Sequence, residues 1–290
     1  MTVRRRALLV LTLGLAGCTT LERQFIPASA LADPRWTRFA PAPGAAVDHA
    51  AWDAFLGRYR SVDAAGLARL DYAAVTTADR AALDAYLAAL QAVDPATLER
   101  DTALAYWINL YNAATVAVVL DAYPVGSIRD VGDGAFSIGP WDRPLLRVAG
   151  AALSLNDVEH GIVRPAFDEP RIHYALNCAA VGCPDLAASA WRAEGLNARL
   201  AAAEAAYVDD PRGVSIGNDG RLTLSSLYAW FREDFADEEG GGEAAVLRRL
   251  RRVGDPALRA SLEGRRGVDA YAYDWALNDA AASAVASRSR

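Results

Sequence analysis

Two of the three cysteines and one of the three histidines of this chain lie in one short stretch, residues 171–184. Cys178 and Cys183 are five residues apart in it, and His173 precedes them. Thiolates and imidazoles act as nucleophiles, bases and metal ligands near neutral pH. Because these residue types are scarce elsewhere in the chain, this stretch is the best candidate for a reactive centre.

A second segment with ionisable side chains, residues 154–164, precedes the cysteines in the chain. Ser154 is followed three residues later by Asp157, a spacing that resembles a capping box with Asp in place of the usual Glu. The pattern predicts a short helix that begins here and carries Glu159 and His160 in its first turns. This helix supplies a carboxylate and a second imidazole for the same centre.

The first hypothesis is a thiol-dependent hydrolase or transferase. A cysteine nucleophile needs a base that generates the thiolate and a group that orients this base. Cys178 would be the nucleophile, His160 or His173 the base and Glu159 an orienting group. The backbone N–H of Gly182 and its neighbours would form an oxyanion hole.

The second hypothesis is a disulfide between Cys178 and Cys183. Disulfides persist outside the cytoplasm, and an even pair of cysteines there usually forms one. The protein would then be a non-catalytic binding or structural protein in which the disulfide fixes a loop. In this reading the sequence indicates no cofactor.

The third hypothesis is a metal site. Two imidazoles and two thiolates form a possible zinc ligand set, although their spacing is not that of a standard zinc finger. The four ligands would be His160, His173, Cys178 and Cys183.

Asparagines accompany these residues. Asn109 and Asn112 lie one turn apart on an otherwise hydrophobic helix, and Asn177 adjoins Cys178. Buried amides must find hydrogen-bond partners, because an unpaired amide costs about 1–3 kcal/mol. They either line a cleft beside the cysteine loop or hold irregular loops against the helix. An asparagine is also an alternative orienting group for the imidazole.

Several ordered blocks of the chain resemble the domain family of unknown function DUF547. The blocks are WINLYNA at 107–113, YPVGSIRD at 123–130, LNDVEH at 155–160, PRIHYALNCAAVGCP at 170–184 and YDWALN at 273–278. The resemblance extends over about residues 101–278. It implies family membership but no activity, so the chemistry rests on the residues themselves.

The N-terminus is similar to a bacterial lipoprotein signal. Three arginines at positions 4–6 precede an apolar run at 7–15 that is too short to span a bilayer. The run leads into Leu-Ala-Gly-Cys, which predicts cleavage before Cys18 and lipidation of its thiol. Thr19 is not the Asp that retains lipoproteins in the inner membrane. We therefore expect a lipid-anchored protein of the bacterial cell envelope, on the outer membrane facing the periplasm in a Gram-negative host; the alternative is an ordinary secretory signal.

The chain divides into a signal peptide at 1–17, a lipidated Cys18 with a proline-rich flexible tether at 18–46, one domain at 47–279 and a loose tail at 280–290. A nearly all-apolar stretch at 101–122 predicts a buried central helix. Strand patterns occur at 145–148, 152–155, 172–177, 214–216 and 221–224. The predicted class is α+β, a helix-rich single domain with a small, mostly antiparallel sheet.

Charge and composition limit the classes of binding partner and of chemistry that are possible. The net charge is −6 and becomes −9 when the three arginines of the signal are removed, which argues against binding of nucleic acid. The chain contains no lysine, so Schiff-base chemistry and a P-loop lysine are excluded. The expected partners are the membrane, through Cys18, and a peptide, cell-wall or acyl substrate.

Overall fold

The computed structural model of the protein describes residues 26–42, 46–132 and 139–281. The predicted signal peptide and Cys18 lie outside the described residues, as does most of the predicted tail. Within these ranges the helix-rich α+β class is confirmed.

The helices and strands are numbered in chain order. Helices α1 to α8 are Ala50–Tyr59, Thr77–Gln91, Arg100–Ala122, Arg164–Phe167, Leu196–Val208, Leu227–Trp230, Gly242–Val253 and Pro256–Leu262. A π-helix at Asp157–Val163 runs directly into α4. Strands β1 to β7 are Arg60–Val62, Ala68–Leu70, Leu146–Val148, Ala151–Leu153, Val214–Ile216, Leu222–Ser225 and Ala270–Ala272. Short 3-10 helices occur at Pro34–Thr37, Tyr72–Ala74, Pro95–Thr97, Ile128–Asp130 and Pro170–Tyr174.

The strands form small, separate sheets. β1 pairs with β2 and β3 with β4 in antiparallel hairpins. β5 and β6 are antiparallel, and β7 joins the other edge of β6 in parallel. The predicted hairpins around Gly150 and at 214–224 are confirmed. The parallel strand is not apparent in the sequence, because its partner β6 lies far away in the chain.

Helix α3 is the buried centre of the domain, as predicted. Every residue from Ala103 to Val119 is buried, including Asn109 and Asn112. By length and composition α3 is able to cross a membrane, but it is enclosed by the rest of the domain. An apolar surface on all sides of the helix has to be covered, and the neighbouring helices cover it.

The predicted strand at 172–177 is wrong, because this segment begins as the 3-10 helix Pro170–Tyr174. Pro170 fixes a backbone angle that suits the first turn of a helix. The carboxylate of Glu169 accepts a hydrogen bond from the backbone N–H of Arg171 and caps this turn. Apolar and polar residues alternate weakly in this segment because several of its side chains are buried, not because it forms a strand.

Two hydrophobic clusters form the core. The first surrounds α3 and includes residues of α1, α2 and the π-helix. The second lies between α5, the β5–β6 hairpin and α7. Helix α5 begins at Leu196 and follows Gly195, which has a left-handed conformation.

Residues 26–42 lie against the domain, whereas the sequence predicts a free tether up to residue 46. Trp36 is buried and its ring makes an edge contact with Trp107, with centroids 5.5 Å apart. The N–H of Ala30 donates to the carbonyl of His160, and Arg164 donates to the carbonyl of Pro27. Burial of the large Trp36 side chain holds this segment on the domain, although its prolines are typical of a flexible tether.

Candidate functional site

A cavity of about 760 Å³ lies where the two hydrophobic clusters meet. Most of its wall is apolar, and six aromatic side chains contribute to it. They are Tyr111, Trp141, Trp230, Phe231, Tyr273 and Trp275. Its size and its apolar wall with a few polar groups are typical of sites for small ligands.

The predicted capping box is confirmed and begins the helix that brings ionisable groups to the cavity. The Ser154 hydroxyl donates to the Asp157 carboxylate at 2.7 Å and accepts from the Asp157 N–H at 3.0 Å. The helix then continues as the π-helix, from which both Glu159 and His160 line the cavity. π-Helical turns occur frequently at functional sites.

Glu159 is a buried carboxyl group beside the cavity. Burial raises its pKa to about 7, because little solvent is available to stabilise the charge. Arg164 and a hydrogen bond with Tyr111 oppose this shift without cancelling it. Glu159 therefore changes protonation state near neutral pH, which suits a general acid or base.

The pKa of His160 shifts in the opposite direction to that of Glu159. Burial, together with the nearby positive charge of Arg164, lowers its pKa to about 3. The guanidinium of Arg164 lies 3.1 Å from Nδ1 of His160. Because an arginine can only donate, Nδ1 is the acceptor and the ring is neutral. A base with so low a pKa accepts a proton poorly at neutral pH.

His173 is oriented by Asp234, a residue that the sequence analysis does not identify. Nε2 of His173 lies 2.7 Å from the Asp234 carboxylate, which also accepts two hydrogen bonds from Arg164 at 2.6 and 2.8 Å. Burial alone raises the pKa of Asp234, but these hydrogen bonds outweigh it and hold the pKa well below its usual range. Burial lowers the pKa of His173, although Asp234 opposes the shift.

The two imidazoles therefore have orienting groups other than the predicted ones. Glu159 lies 3.9 Å from Nδ1 of His173, which is beyond a hydrogen bond. His173 also stacks on Phe231, with ring centroids 4.0 Å apart. No sequence pattern links Asp234 to His173, because the two residues are 61 positions apart.

Cys178 and Cys183 form a disulfide in the wall of the cavity, as the second hypothesis expected. Cys178 is partly exposed, whereas Cys183 is 3% exposed. The hydroxyl of Tyr273 lies 3.2 Å from Sγ of Cys178 and 3.0 Å from Sγ of Cys183. Sγ of Cys183 also accepts a hydrogen bond from the Cys178 N–H at 3.0 Å.

The expected oxyanion hole at Gly182 is not formed. The N–H of Gly182 donates to the carbonyl of Asp274 at 2.8 Å, and the N–H of Val181 donates to the carbonyl of Ala276. A side chain at Gly182 would collide with the backbone of Asp274, so the glycine allows this close pairing. The C-terminal segment consequently forms one side of the cysteine loop and carries Tyr273 and Trp275 to the cavity.

The three predicted cleft asparagines hold loops and are not among the described residues that line the cavity. Asn109 exchanges two hydrogen bonds with the backbone of Trp191, at 2.8 and 2.9 Å. Asn112 donates to the carbonyl of Ala175 and accepts from the N–H of Asn177. These hydrogen bonds are those of the structural alternative, in which the amides attach irregular loops to α3.

Asn177 has a similar role within the cysteine loop. Its amide donates to the carbonyl of Pro184 and accepts from the N–H of Ala179. These bonds connect the two ends of the loop. Cys183 is the member of the predicted cleft-lining group that does line the cavity.

All four predicted catalytic side chains, Glu159, His160, His173 and Cys178, line this one cavity. Among the described residues, however, Sγ of Cys178 lies at hydrogen-bond distance from the Tyr273 hydroxyl and not from an imidazole. The zinc set is not formed either. Across residues 26–42, 46–132 and 139–281, no group of three or more His, Cys, Asp or Glu side chains is arranged to hold a metal ion.

A sequence signal exists for two of the residues that the sequence analysis missed, Tyr273 and Trp275, but not for Asp234. Tyr273 and Trp275 belong to the YDWALN block, and its resemblance to the family implies no role for these aromatic side chains. Asp234 follows α6 in a segment with no such resemblance. Only the fold brings Asp234 to His173 and Arg164.

Comparisons with known proteins identify one family. Residues 95–208 match the family described as "Protein of unknown function, DUF547". The match covers α3, the π-helix and the cysteine loop, and it ends before Asp234 and Tyr273. No curated protein and no solved structure matches the chain. Residues 95–208 are therefore similar to DUF547, and this match includes four of the five sequence blocks; the YDWALN block at 273–278 lies beyond it.

Proposed function

We propose that this protein is a lipid-anchored envelope protein that binds a small organic ligand in the cavity between its two hydrophobic clusters. The observation that carries the proposal is the cavity itself, with a volume of about 760 Å³ and an aromatic wall. The Cys178–Cys183 disulfide stabilises one side of it. This is the binding-protein hypothesis with a defined site.

The lining indicates an amphiphilic ligand. Aromatic and aliphatic side chains favour an acyl chain or another apolar group, because burial of apolar surface contributes about 25 cal/mol per Å². Arg129 and Arg143 also line the cavity, as do the acidic side chains of Asp142 and Glu159. Both guanidinium groups interact with other residues, and their charge would still favour an anionic end of the ligand. A fatty acyl carboxylate combines these two features.

The N-terminal segment supports delivery of such a ligand from a membrane. Ile26 and Pro27 form part of the cavity wall. Eight residue steps separate Ile26 from Cys18, and a fully extended chain of this length spans at most about 29 Å. Lipidation of Cys18 would thus keep the cavity close to the bilayer surface.

Binding is tested with three probes, one for each expected ligand class: decanoate, trialanine and muramyl dipeptide. We expect decanoate to raise the melting temperature and to change the tryptophan fluorescence at submillimolar concentration. A ligand at 100 times its Kd stabilises the folded state by about 2.7 kcal/mol. Trialanine and muramyl dipeptide should have smaller effects.

Leu176→Trp is the matched variant, because Leu176 lines the cavity and a larger side chain there fills it. Val62→Trp is the control, since it adds the same side chain at an exposed position of β1. Loss of the decanoate response in Leu176→Trp alone supports the proposal. No response to any probe, or an equal response in both variants, contradicts it.

A second candidate is the Cys–His hydrolase or transferase. It is favoured by one observation, namely that Cys178, His160, His173 and Glu159 face the same cavity. It requires that the disulfide be reduced, because a bonded sulfur is not a nucleophile.

Labelling of the purified Cys18→Ser protein with iodoacetamide, without reductant, distinguishes the two candidates. Two free thiols, one of which reacts rapidly at pH 7, would favour the hydrolase. Labelling only after reduction favours the binding protein with a disulfide. Cys178→Ser is the control, since it removes the proposed nucleophile.

A further inference from the structure

We propose that the Cys178–Cys183 disulfide is a thiol–disulfide exchange centre, in which a low-molecular-weight thiol in the cavity attacks Cys178 and Cys183 leaves as the thiolate. This adds an activity to the binding protein proposed above and does not depend on its ligand. Three features of the geometry support it: the unequal exposure of the two sulfurs, the donors around Cys183, and the rigid loop.

Unequal exposure determines which sulfur is attacked. Both cysteines line the cavity, but Cys178 is partly exposed, whereas Cys183 is only 3% exposed. Exchange proceeds by attack of a thiolate on a disulfide sulfur, and access decides which sulfur reacts. A thiol in the cavity therefore reaches Cys178 first.

The donors around Cys183 suit a leaving group. Its Sγ accepts a hydrogen bond from the Cys178 N–H and another from the Tyr273 hydroxyl, both at 3.0 Å. When the disulfide breaks, negative charge develops on this sulfur. Hydrogen bonds to a charged acceptor are stronger than those to a neutral one, and a more stable thiolate leaves faster.

The loop keeps Cys183 in position for the reverse reaction. Arg212 donates to the carbonyls of Val181 and Cys183, at 3.0 and 3.1 Å. The Tyr207 hydroxyl donates to the carbonyl of Gly182 at 2.6 Å. Because these bonds involve neither sulfur, they remain when the disulfide is open.

The incoming thiolate forms a bond with Sγ of Cys178, the bond between the two cysteine sulfurs breaks, and its electron pair goes to Cys183. A second thiolate then attacks the mixed disulfide and releases the oxidised small molecule. Two thiols are oxidised to one disulfide, and the protein disulfide is reduced to two thiols. A small-molecule disulfide reverses the sequence and regenerates the protein.

The test uses the full chain with Cys18→Ser, which leaves only the two cysteines of the loop. Protein is mixed with millimolar reduced glutathione, quenched with N-ethylmaleimide at intervals and digested. Mass spectrometry then locates glutathione on Cys178 or Cys183. We expect the adduct on Cys178, formed in the folded protein without denaturant.

A matched pair of tyrosine variants tests the role of the hydroxyl. Tyr273→Phe removes the donor to Cys183 and should slow opening of the disulfide by glutathione about tenfold, the effect of one lost hydrogen bond. Tyr271→Phe is the control, because the Tyr271 hydroxyl bonds Glu243, away from the sulfurs. Circular dichroism verifies that both variants are folded.

Variants that retain only one cysteine provide a second measurement, which does not depend on the tyrosine variants. With oxidised glutathione, the Cys178 thiol of Cys183→Ser should react at least about tenfold faster than the Cys183 thiol of Cys178→Ser. The proposal is overturned if glutathione appears on Cys183 first. It is equally overturned if the disulfide opens only in denaturant, or if Tyr273→Phe and Tyr271→Phe react at the same rate.

Discussion

At the scale of single residues, neighbours in the chain acquire opposite properties from their surroundings. Glu159 and His160 are adjacent on the π-helix and both are buried. Burial disfavours the charged form of each, so the pKa of the carboxyl group rises and that of the imidazole falls. At neutral pH the histidine is therefore neutral, while the glutamate is near its midpoint.

This difference predicts how stability depends on pH. The pKa of Glu159 is about 7 in the folded protein and near 4.5 for an ordinary glutamate. Since the folded state holds this proton more tightly, ionisation of Glu159 reduces stability as the pH rises from about 4.5 to 7. We therefore expect the free energy of unfolding of Glu159→Gln, relative to that of the wild type, to increase by up to about 3 kcal/mol as the pH rises from 4 to 8.

Urea denaturation of both proteins at pH 4, 6 and 8 measures this gain. The contributions of His160 and His173 have the opposite sign, because their pKa values are lowered, but they are present in both proteins and largely cancel. Glu263→Gln, at an exposed position, is the control. A difference in stability that does not vary with pH would contradict the assignment.

At the scale of elements, α3 attaches irregular segments to the core through amides. Asn109 holds the backbone of Trp191, and Asn112 holds the segment that leads into the cysteine loop. Thr115 is one turn further along the same helix and is equally buried. Its hydroxyl has no hydrogen-bond partner among the described residues.

Substitutions at these two positions of α3 should have opposite effects. Asn112→Leu leaves the carbonyl of Ala175 and the N–H of Asn177 without partners, and we expect a loss of about 3 kcal/mol in the free energy of unfolding. Thr115→Val removes a hydroxyl that has no partner, and we expect a gain of about 1 kcal/mol. Urea denaturation at pH 7 measures both values; equal destabilisation by the two changes would refute this account of the helix.

At the scale of the whole molecule, the segment after the predicted anchor is a part of the domain. Residues 26–42 contact the helix that bears His160, and Ile26 and Pro27 complete the cavity wall. An anchor at Cys18 would therefore constrain the orientation of the cavity and not only its location. Two or more acyl chains on one residue suffice for stable attachment.

The anchoring proposal is tested by expression in a Gram-negative bacterium with labelled palmitate. We expect the wild type to incorporate palmitate and to sediment with the outer membrane, and Cys18→Ser to incorporate none. Thr19→Asp should move the labelled protein to the inner membrane, because it introduces the residue associated with retention there. Cys183→Ser, which leaves the signal unchanged, serves as the control; equal labelling of Cys18→Ser would refute lipidation at this residue.

Local features of the chain were predictable from the sequence. The burial of α3 follows from apolar residues on all its faces, and the capping box at Ser154 and the hairpins follow from residues a few positions apart. The disulfide is also local, since its cysteines are five residues apart. Such patterns depend on the conformation of one short segment, so the residue types are sufficient to indicate them.

The site itself depends on contacts across long stretches of chain. Asp234 meets His173 across 61 positions, and Tyr273 meets Cys178 across 95. The sequence determined that the reactive residue types are few and that a buried helix, capped turns and a short cysteine loop carry or support them. Only the tertiary structure decided that Asp234 and Arg164 engage the imidazoles and that a tyrosine faces the sulfurs. Which distant side chains meet depends on the packing of whole elements, and no single segment encodes it.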